Sequence, residues 1–163
     1  MTFRLLPMEA MTGQRHRLAM EVWADRRGDR MAPARRDLEP WDLKSILPYV
    51  TLLDVIEDPL DFRCRLVGTK VREIHGIELT GKSVRALGPP SYADRVWEHL
   101  TRLIERKEPQ LCLVEYTNRD ILLRSFTVLR LPLSNDGRTV NMILAVHEPH
   151  EPVRTGALLR GRE

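Results

Sequence analysis

The chain is short of cysteine, of aromatic residues and of long apolar runs, and each shortage closes off a class of protein. Two cysteines, Cys64 and Cys112, in 163 residues cannot frame a disulfide scaffold. Both stand in apolar stretches where a buried free thiol is the ordinary state, so a reducing compartment is expected. No stretch approaches the roughly 20 apolar residues of a membrane span. Residues 1–10 also lack the apolar core of a secretion signal, which makes the cytoplasm the expected location. Glycine-rich phosphate loops are missing too, since Gly68 and Gly81 stand alone. Nor does one sign of charge dominate: the formal net charge is +3, but Arg95, Arg102, Arg106 and Lys107 alternate with Asp94, Glu98, Glu105 and Glu108. Interleaving of this kind reads as a solvated face, and no nucleic-acid partner is expected. The one local basic cluster, Arg154, Arg160 and Arg162, is too small to hold phosphate firmly.

What is present suits one α+β domain. Hydrophobic residues make up 42% of the chain, enough for a core of Leu, Val and Ile around Trp23, Trp41 and Trp97. Residues 14–27 carry Met20 and Trp23 at a helical interval, a narrow stripe that needs a surface to cover. A polar connector bounded by Pro33 and Pro40 follows, then a short helical turn stopped by Pro48. Two strands are expected at 49–56 and 62–67, joined by an acidic, proline-containing turn. Thr69 is placed to cap a short helix through Val71 and Ile74, and Gly76 to end it. The strongest helix is 91–107, with Ser91 as its cap and Ala93, Val96, Trp97, Leu100, Leu103 and Ile104 on one face.

Three strands close the chain at 110–117, 121–133 and 139–147, with connections at Asn118-Arg119-Asp120 and Asn135-Asp136-Gly137. An Asp-Gly hairpin would pair Leu131 with Met142, Leu129 with Leu144 and Thr127 with Val146. That nearly all-apolar face is expected to meet the long helix. The opposite face mixes Arg124, Phe126, Val128 and Arg130 with Asn141, Ile143, Ala145 and His147. The N-terminal helix is expected there, with Met20 and Trp23 over Phe126 and Val128, unless a partner chain covers it instead.

Several short motifs follow one another in a fixed order: Arg30-Met31-Ala32-Pro33-Ala34-Arg35-Arg36-Asp37-Leu38-Glu39-Pro40, then Leu47-Pro48 leading to Asp54-Val55. Arg63-Cys64-Arg65-Leu66-Val67-Gly68-Thr69, Leu79-Thr80-Gly81, Leu131-Pro132-Leu133-Ser134 and Asp136-Gly137-Arg138 continue the series. The element order resembles the PAS fold, and these motifs are similar to a bacterial branch of small stand-alone PAS-like proteins. The resemblance implies a five-stranded antiparallel sheet with inserted short helices, one long helix on one face and an N-terminal helix. The chain then divides into a helical extension at 1–29, a connector with a short helix at 30–48, a PAS-like core at 49–147 and a polar tail at 148–163.

Chemistry beyond this is sparse. The light-sensing branch carries a flavin-reactive cysteine on a helix after the second strand, whereas Cys64 falls within that strand, which argues against flavin. His99 stands on the long helix but about 100° from Leu100, toward the charged side, which argues against haem. His16, His75, His147 and His150 show no metal-ligand spacing. Asp54 and Glu115 are isolated carboxylates, so no catalytic set and no enzyme is expected. A candidate pocket between sheet and long helix comprises Val71, Ile74, Val96, Leu100, Leu103, Thr127, Leu129, Met142 and Leu144. The candidate partner interface comprises Met20, Trp23, Phe126, Val128 and Ile143. Two functions are expected to compete: sensing of a small apolar or amphipathic ligand, and ligand-free dimerisation or docking to a separate signalling protein.

Overall fold

The computed structural model describes residues 2–117, 122–150 and 153–154. The connection expected at Asn118, Arg119 and Asp120 and the basic cluster toward the C-terminus lie outside the described residues. The strands are β1 Thr2–Leu6, β2 Val50–Ile56, β3 Asp61–Val67, β4 Gln110–Thr117, β5 Leu122–Leu133, β6 Met142–Pro149 and β7 Val153–Arg154. The α-helices are α1 Gln14–Arg27, α2 Thr69–His75 and α3 Pro90–Arg106, with short 3-10 turns between them. The sheet is antiparallel in the order β1-β4-β5-β6-β2-β3, and β7 pairs with β5. Five of these strands were expected; β1 and β7 are additions.

Local chemistry explains most boundaries. α3 buries Ala93, Val96, Leu100 and Leu103, spaced as one face of a helix requires. It starts at Pro90, where a missing N–H costs nothing, and Ser91 does not cap it. α2 is entered through Gly68, so Thr69 is its first residue rather than its cap. Gly76 ends it in the left-handed conformation at φ +72°. The family-like motifs hold one another in place. Ser134 N–H donates to the Pro33 carbonyl, while Gly81 N–H donates to the Cys64 carbonyl and Cys64 N–H to that of Lys82.

The β5–β6 connection departs from the Asp-Gly hairpin. The strands pair as Leu133 with Met142, Leu131 with Leu144 and Leu129 with Val146, two residues out of the expected register. A longer loop is stable here because side chains satisfy its backbone. Asp136 accepts from the N–H groups of Arg138 and Thr139, and Ser134 Oγ accepts from Gly137 N–H while donating to the Thr139 carbonyl.

A shift of two keeps the faces intact, because side chains alternate with period two. What differs is which helix covers which face. Phe126, Val128, Ile143 and Ala145 pack with α3 residues Val96, Leu100 and Leu103. Leu129, Leu131, Leu133, Met142, Leu144 and Val146 pack with α1 residues Ala19 and Trp23. The expected assignment is thus inverted: α1 lies on the wholly apolar face and α3 on the mixed one. The physical reason is that α1 is short of apolar residues and brings His16, Ala19 and Trp23 inward, so it needs the greasier surface. The mixed face keeps its polar groups because, as described next, they line a cavity.

Candidate functional site

The site is built on the inward side of the central strands. Thr51 on β2, Cys64 on β3, His75 at the end of α2, Tyr92 and Val96 on α3, Val128 and Arg130 on β5 and His147 on β6 surround a chamber of about 50 Å³. Its wall is unusually polar for a core. The Thr51 hydroxyl is buried without a hydrogen-bond partner among the described residues, and His147 Nδ1 makes no well-formed hydrogen bond there although the Tyr49 backbone lies beside the ring. Arg130 is only 4% exposed. Its Nη1 donates to Gln110 Oε1 at 2.9 Å, and Gln110 Nε2 donates onward to the His99 carbonyl.

Aromatic rings close the chamber. The His75 and His147 rings stand perpendicular with centres 5.8 Å apart, and Phe126 lies 5.9 Å from His75 and 5.5 Å from His147. His75 also lies 6.1 Å from Tyr92. Beyond His75 and Tyr92 is an outer chamber of about 170 Å³, reached past Ile74, Pro89, Val114, Tyr116 and Phe126. Ile74, Tyr116 and Phe126 in turn border an open groove of about 470 Å³ that carries Lys70, Glu73 and Arg124 on its rim. The outer chamber shares His75 and Tyr92 with the inner one, and Ile74, Tyr116 and Phe126 with the groove, so the three spaces are neighbours.

Burial controls the ionisation of this wall. It pushes the His75 imidazole down to about 4. It also drives His147 well below its ordinary value, with His75 and Arg130 adding to the effect. The Cys64 thiol is pushed up to about 11 by burial and then by Asp61. Tyr92 is likewise raised by burial. Both histidines are therefore neutral near pH 7, and Arg130 supplies the charge of the chamber. In the unfolded chain they titrate near 6.5. Below that pH the unfolded state takes up protons that the folded state refuses, so stability falls as pH drops from about 6.5 toward 4. The full slope is about 1.4 kcal/mol per pH unit for each histidine. Urea midpoints at pH 7.5, 6.0 and 5.0 should fall in that order; a flat series would contradict the buried neutral pair.

Of the nine candidate pocket residues, Val71 and Val96 line the inner chamber and Ile74 the outer one. Leu100 and Leu103 belong to the same core layer without touching either chamber. Thr127, Leu129, Met142 and Leu144 are on the other side of the sheet, a correction that follows from the inverted faces. Thr127 Oγ1 there meets His150 Nε2 at 2.7 Å. Of the candidate interface, Trp23, Phe126, Val128 and Ile143 are all buried within the chain, the last three beneath α3 rather than α1. Met20 alone keeps partial exposure. His99 is a further correction. Strand β1, which was not anticipated, lies beside β4, and Phe3 packs its ring 4.6 Å from that of His99. Burial then lowers His99 to about 4, where a solvated ring was expected. Sequence reasoning missed Thr51, Cys64, His75, Tyr92, Arg130 and His147 as pocket residues. The available signal was Arg130 and His147 falling in phase with Phe126, Val128 and Ile143 on central strands.

The antiparallel sheet thus carries α2 and α3 over a small polar-lined cavity on one face and α1 on the other. The chain belongs to the PAS domain family, whose sequence profile matches residues 11–147. Among solved structures, a light-oxygen-voltage domain studied with a flavin analogue is similar over 73% of this chain and 91% of its own, at 16% identity and a TM-score of 0.50. An RNA-binding light-oxygen-voltage receptor is similar over 91% of this chain and 38% of its own, at 12% identity and a TM-score of 0.52. A PAS domain from Colwellia psychrerythraea is similar over 66% of this chain and 92% of its own, at 10% identity and a TM-score of 0.45. At such identities the likeness is one of fold. No curated protein is similar enough in sequence to count as a relative. Among the described residues no helix is long and apolar enough to cross a membrane.

The residues of this chain do not supply the helix-borne cysteine that the light-sensing resemblance would require. No cysteine occurs in α2, and the cysteine on the wall, Cys64, projects from β3 with its thiol held protonated.

Proposed function

We propose that the chain is a sensory module in which a small molecule entering the buried chamber changes how α1 sits on the far side of the sheet. The observation that carries this reading is the pair of buried polar atoms without a well-formed hydrogen bond, Thr51 Oγ1 and His147 Nδ1, in one cavity wall. A buried polar group without a partner costs roughly 1–3 kcal/mol, and a ligand that satisfies it recovers that cost. The relay follows from strand geometry, since neighbours along a strand point to opposite faces. Arg130 and His147 line the chamber, and the adjacent Leu129, Leu131 and Val146 pack beneath α1. α1 is also tied to the backbone of the same strands. The Trp23 indole N–H donates to the Pro132 carbonyl at 2.7 Å, and His16 Nε2–H donates to the Val146 carbonyl at 2.8 Å. A ligand-driven displacement of β5 or β6 moves both anchors.

No chemical step belongs to this reading, because burial keeps both nucleophile-capable groups of the wall, Cys64 and Tyr92, protonated. The receiver of the signal, a second copy of the chain or a separate protein, would meet the outer surface of α1 around Met20. Fragment screening by NMR tests the relay. A compound that shifts the amides of Thr51 and Val128 should also shift the Trp23 indole N–H, and light scattering with that compound bound reports any change in association. Compounds that occupy the chamber and leave the Trp23 signal unmoved would remove the relay.

A further inference from the structure

We infer that the chamber takes the carboxylate of a small organic acid, with Arg130 as its counter-charge and the outer chamber holding a single ring or a chain of similar size. This names the ligand class for the sensing cavity and rests on that reading.

Arg130 is the starting point. Of the five N–H donors of a guanidinium, its side chain directs one to the neutral amide of Gln110 and another toward the Cys112 thiol, and both partners are uncharged. No described carboxylate pairs with it, and neither chamber has an acidic residue in its lining. The nearest aromatic face, that of Phe3, is 6.0 Å away and offers little compensation. A cation withdrawn from water is tolerated when an anion or a strong set of dipoles faces it. Gln110 provides one dipole, and a ligand carboxylate provides the anion in the planar geometry that guanidinium matches with two parallel hydrogen bonds.

The other polar atoms of the wall suit the same group. Thr51 and His147 are each 6% exposed, both side chains belong to the wall of the inner chamber, and each carries a buried polar atom without a well-formed hydrogen bond. A hydroxyl and the Nδ1–H tautomer of a neutral imidazole are donors, as a carboxylate requires. A cationic ligand would be repelled by Arg130, and a neutral one would leave its charge uncompensated.

Size sets the rest of the molecule. About 10–15 Å³ of such space holds one water, so an inner chamber of about 50 Å³ holds a few heavy atoms, the size of a carboxylate. The outer chamber of about 170 Å³ compares with the roughly 150 Å³ that accommodates benzene. Its lining of Ile74, Pro89, Val114, Tyr116 and Phe126 is apolar or aromatic. The two chambers adjoin at His75 and Tyr92, and the ligand's head and ring lie on either side of that pair.

The test compares phenylacetate with its neutral isostere phenylacetamide and with benzyl alcohol on the whole chain, by NMR titration and thermal unfolding. Phenylacetate should shift the Thr51, His75 and Val128 amides saturably and raise the unfolding midpoint, with affinity at least tenfold above that of phenylacetamide. Arg130→Met should lose at least tenfold in phenylacetate affinity while keeping the circular dichroism of the parent. If that variant fails to fold, the acid-to-amide ratio on the unaltered chain decides alone. Equal binding of acid, amide and alcohol, or an Arg130→Met variant that retains affinity, overturns the carboxylate and leaves a sensing cavity of another specificity. No response to any of the three probes overturns the carboxylate and the sensing cavity together.

Discussion

Trp23→Ala should destabilise the protein by roughly 3–5 kcal/mol, as removal of a fully buried large aromatic does, and lower the thermal midpoint by about 10 °C. Trp23 is 2% exposed and packs in the layer formed by α1, Leu129, Leu131 and Leu144. Its loss opens a cavity beneath α1 and leaves the Pro132 carbonyl without the indole donor. Trp23→Phe keeps one aromatic ring in the layer and removes the donor together with part of the indole, for a smaller cost of about 1–3 kcal/mol. Chemical denaturation of the pair measures both. A loss under 1 kcal/mol in Trp23→Ala would mean that α1 does not cover the sheet as described. The same geometry sets the outcome of removing residues 1–28. The part of the apolar face beneath Ala19 and Trp23 would be uncovered, with only the segment of Ala32, Leu38, Leu43 and Ile46 left on that layer, so the shortened chain should aggregate rather than remain a folded monomer.

The second large effect is expected at Gly68. Its φ of −65° and ψ of 153° are extended backbone that alanine adopts without strain, and at the residue preceding α2 the change from glycine to alanine loses only a modest cap preference. The larger cost is steric, because a Cβ at this position would lie closer than 3.0 Å to the backbone carbonyls of Leu47 and Pro48. Those atoms belong to the turn that leads into β2, and Gly68 N–H itself donates to the Val50 carbonyl, so the segment cannot move aside cheaply. Gly68→Ala should cost about 1–3 kcal/mol as overpacking against rigid backbone. It should also displace α2, and with it Val71, Ile74 and His75, from the chambers. Urea denaturation measures the cost, and stability equal to or above that of the parent would refute the close approach.

Both predictions rest on features that the sequence carried only in part. The helix at 14–27 was legible to the residue, because Gly28 and the spacing of Met20 and Trp23 mark it locally. The strands β2 to β5 were legible within a residue or two for the same reason. Gly68 was legible as a turn, but its reason to be glycine is a neighbour twenty residues earlier in the chain, and no local pattern records that approach. β1 was missed because five residues with one fully buried side chain, Phe3, carry almost no periodicity. Its strand character comes from pairing with β4, more than a hundred residues away.

The site was less legible than the fold, and the two faces of β5 and β6 explain the difference. Alternation groups Phe126, Val128, Arg130, Ile143 and His147 together and opposes them to Leu129, Leu131, Met142 and Leu144, and the sequence by itself settles that division. It cannot say which group meets the long helix, since period two labels sides as same or opposite and not as inner or outer. A rule that apolar residues go inward assigns the wrong side here, because both sides are buried and the polar wall belongs to the cavity. Only the tertiary structure decided that Arg130 and His147 face α2 and α3, when packing placed α1 on the wholly apolar layer and left the mixed layer to enclose a chamber.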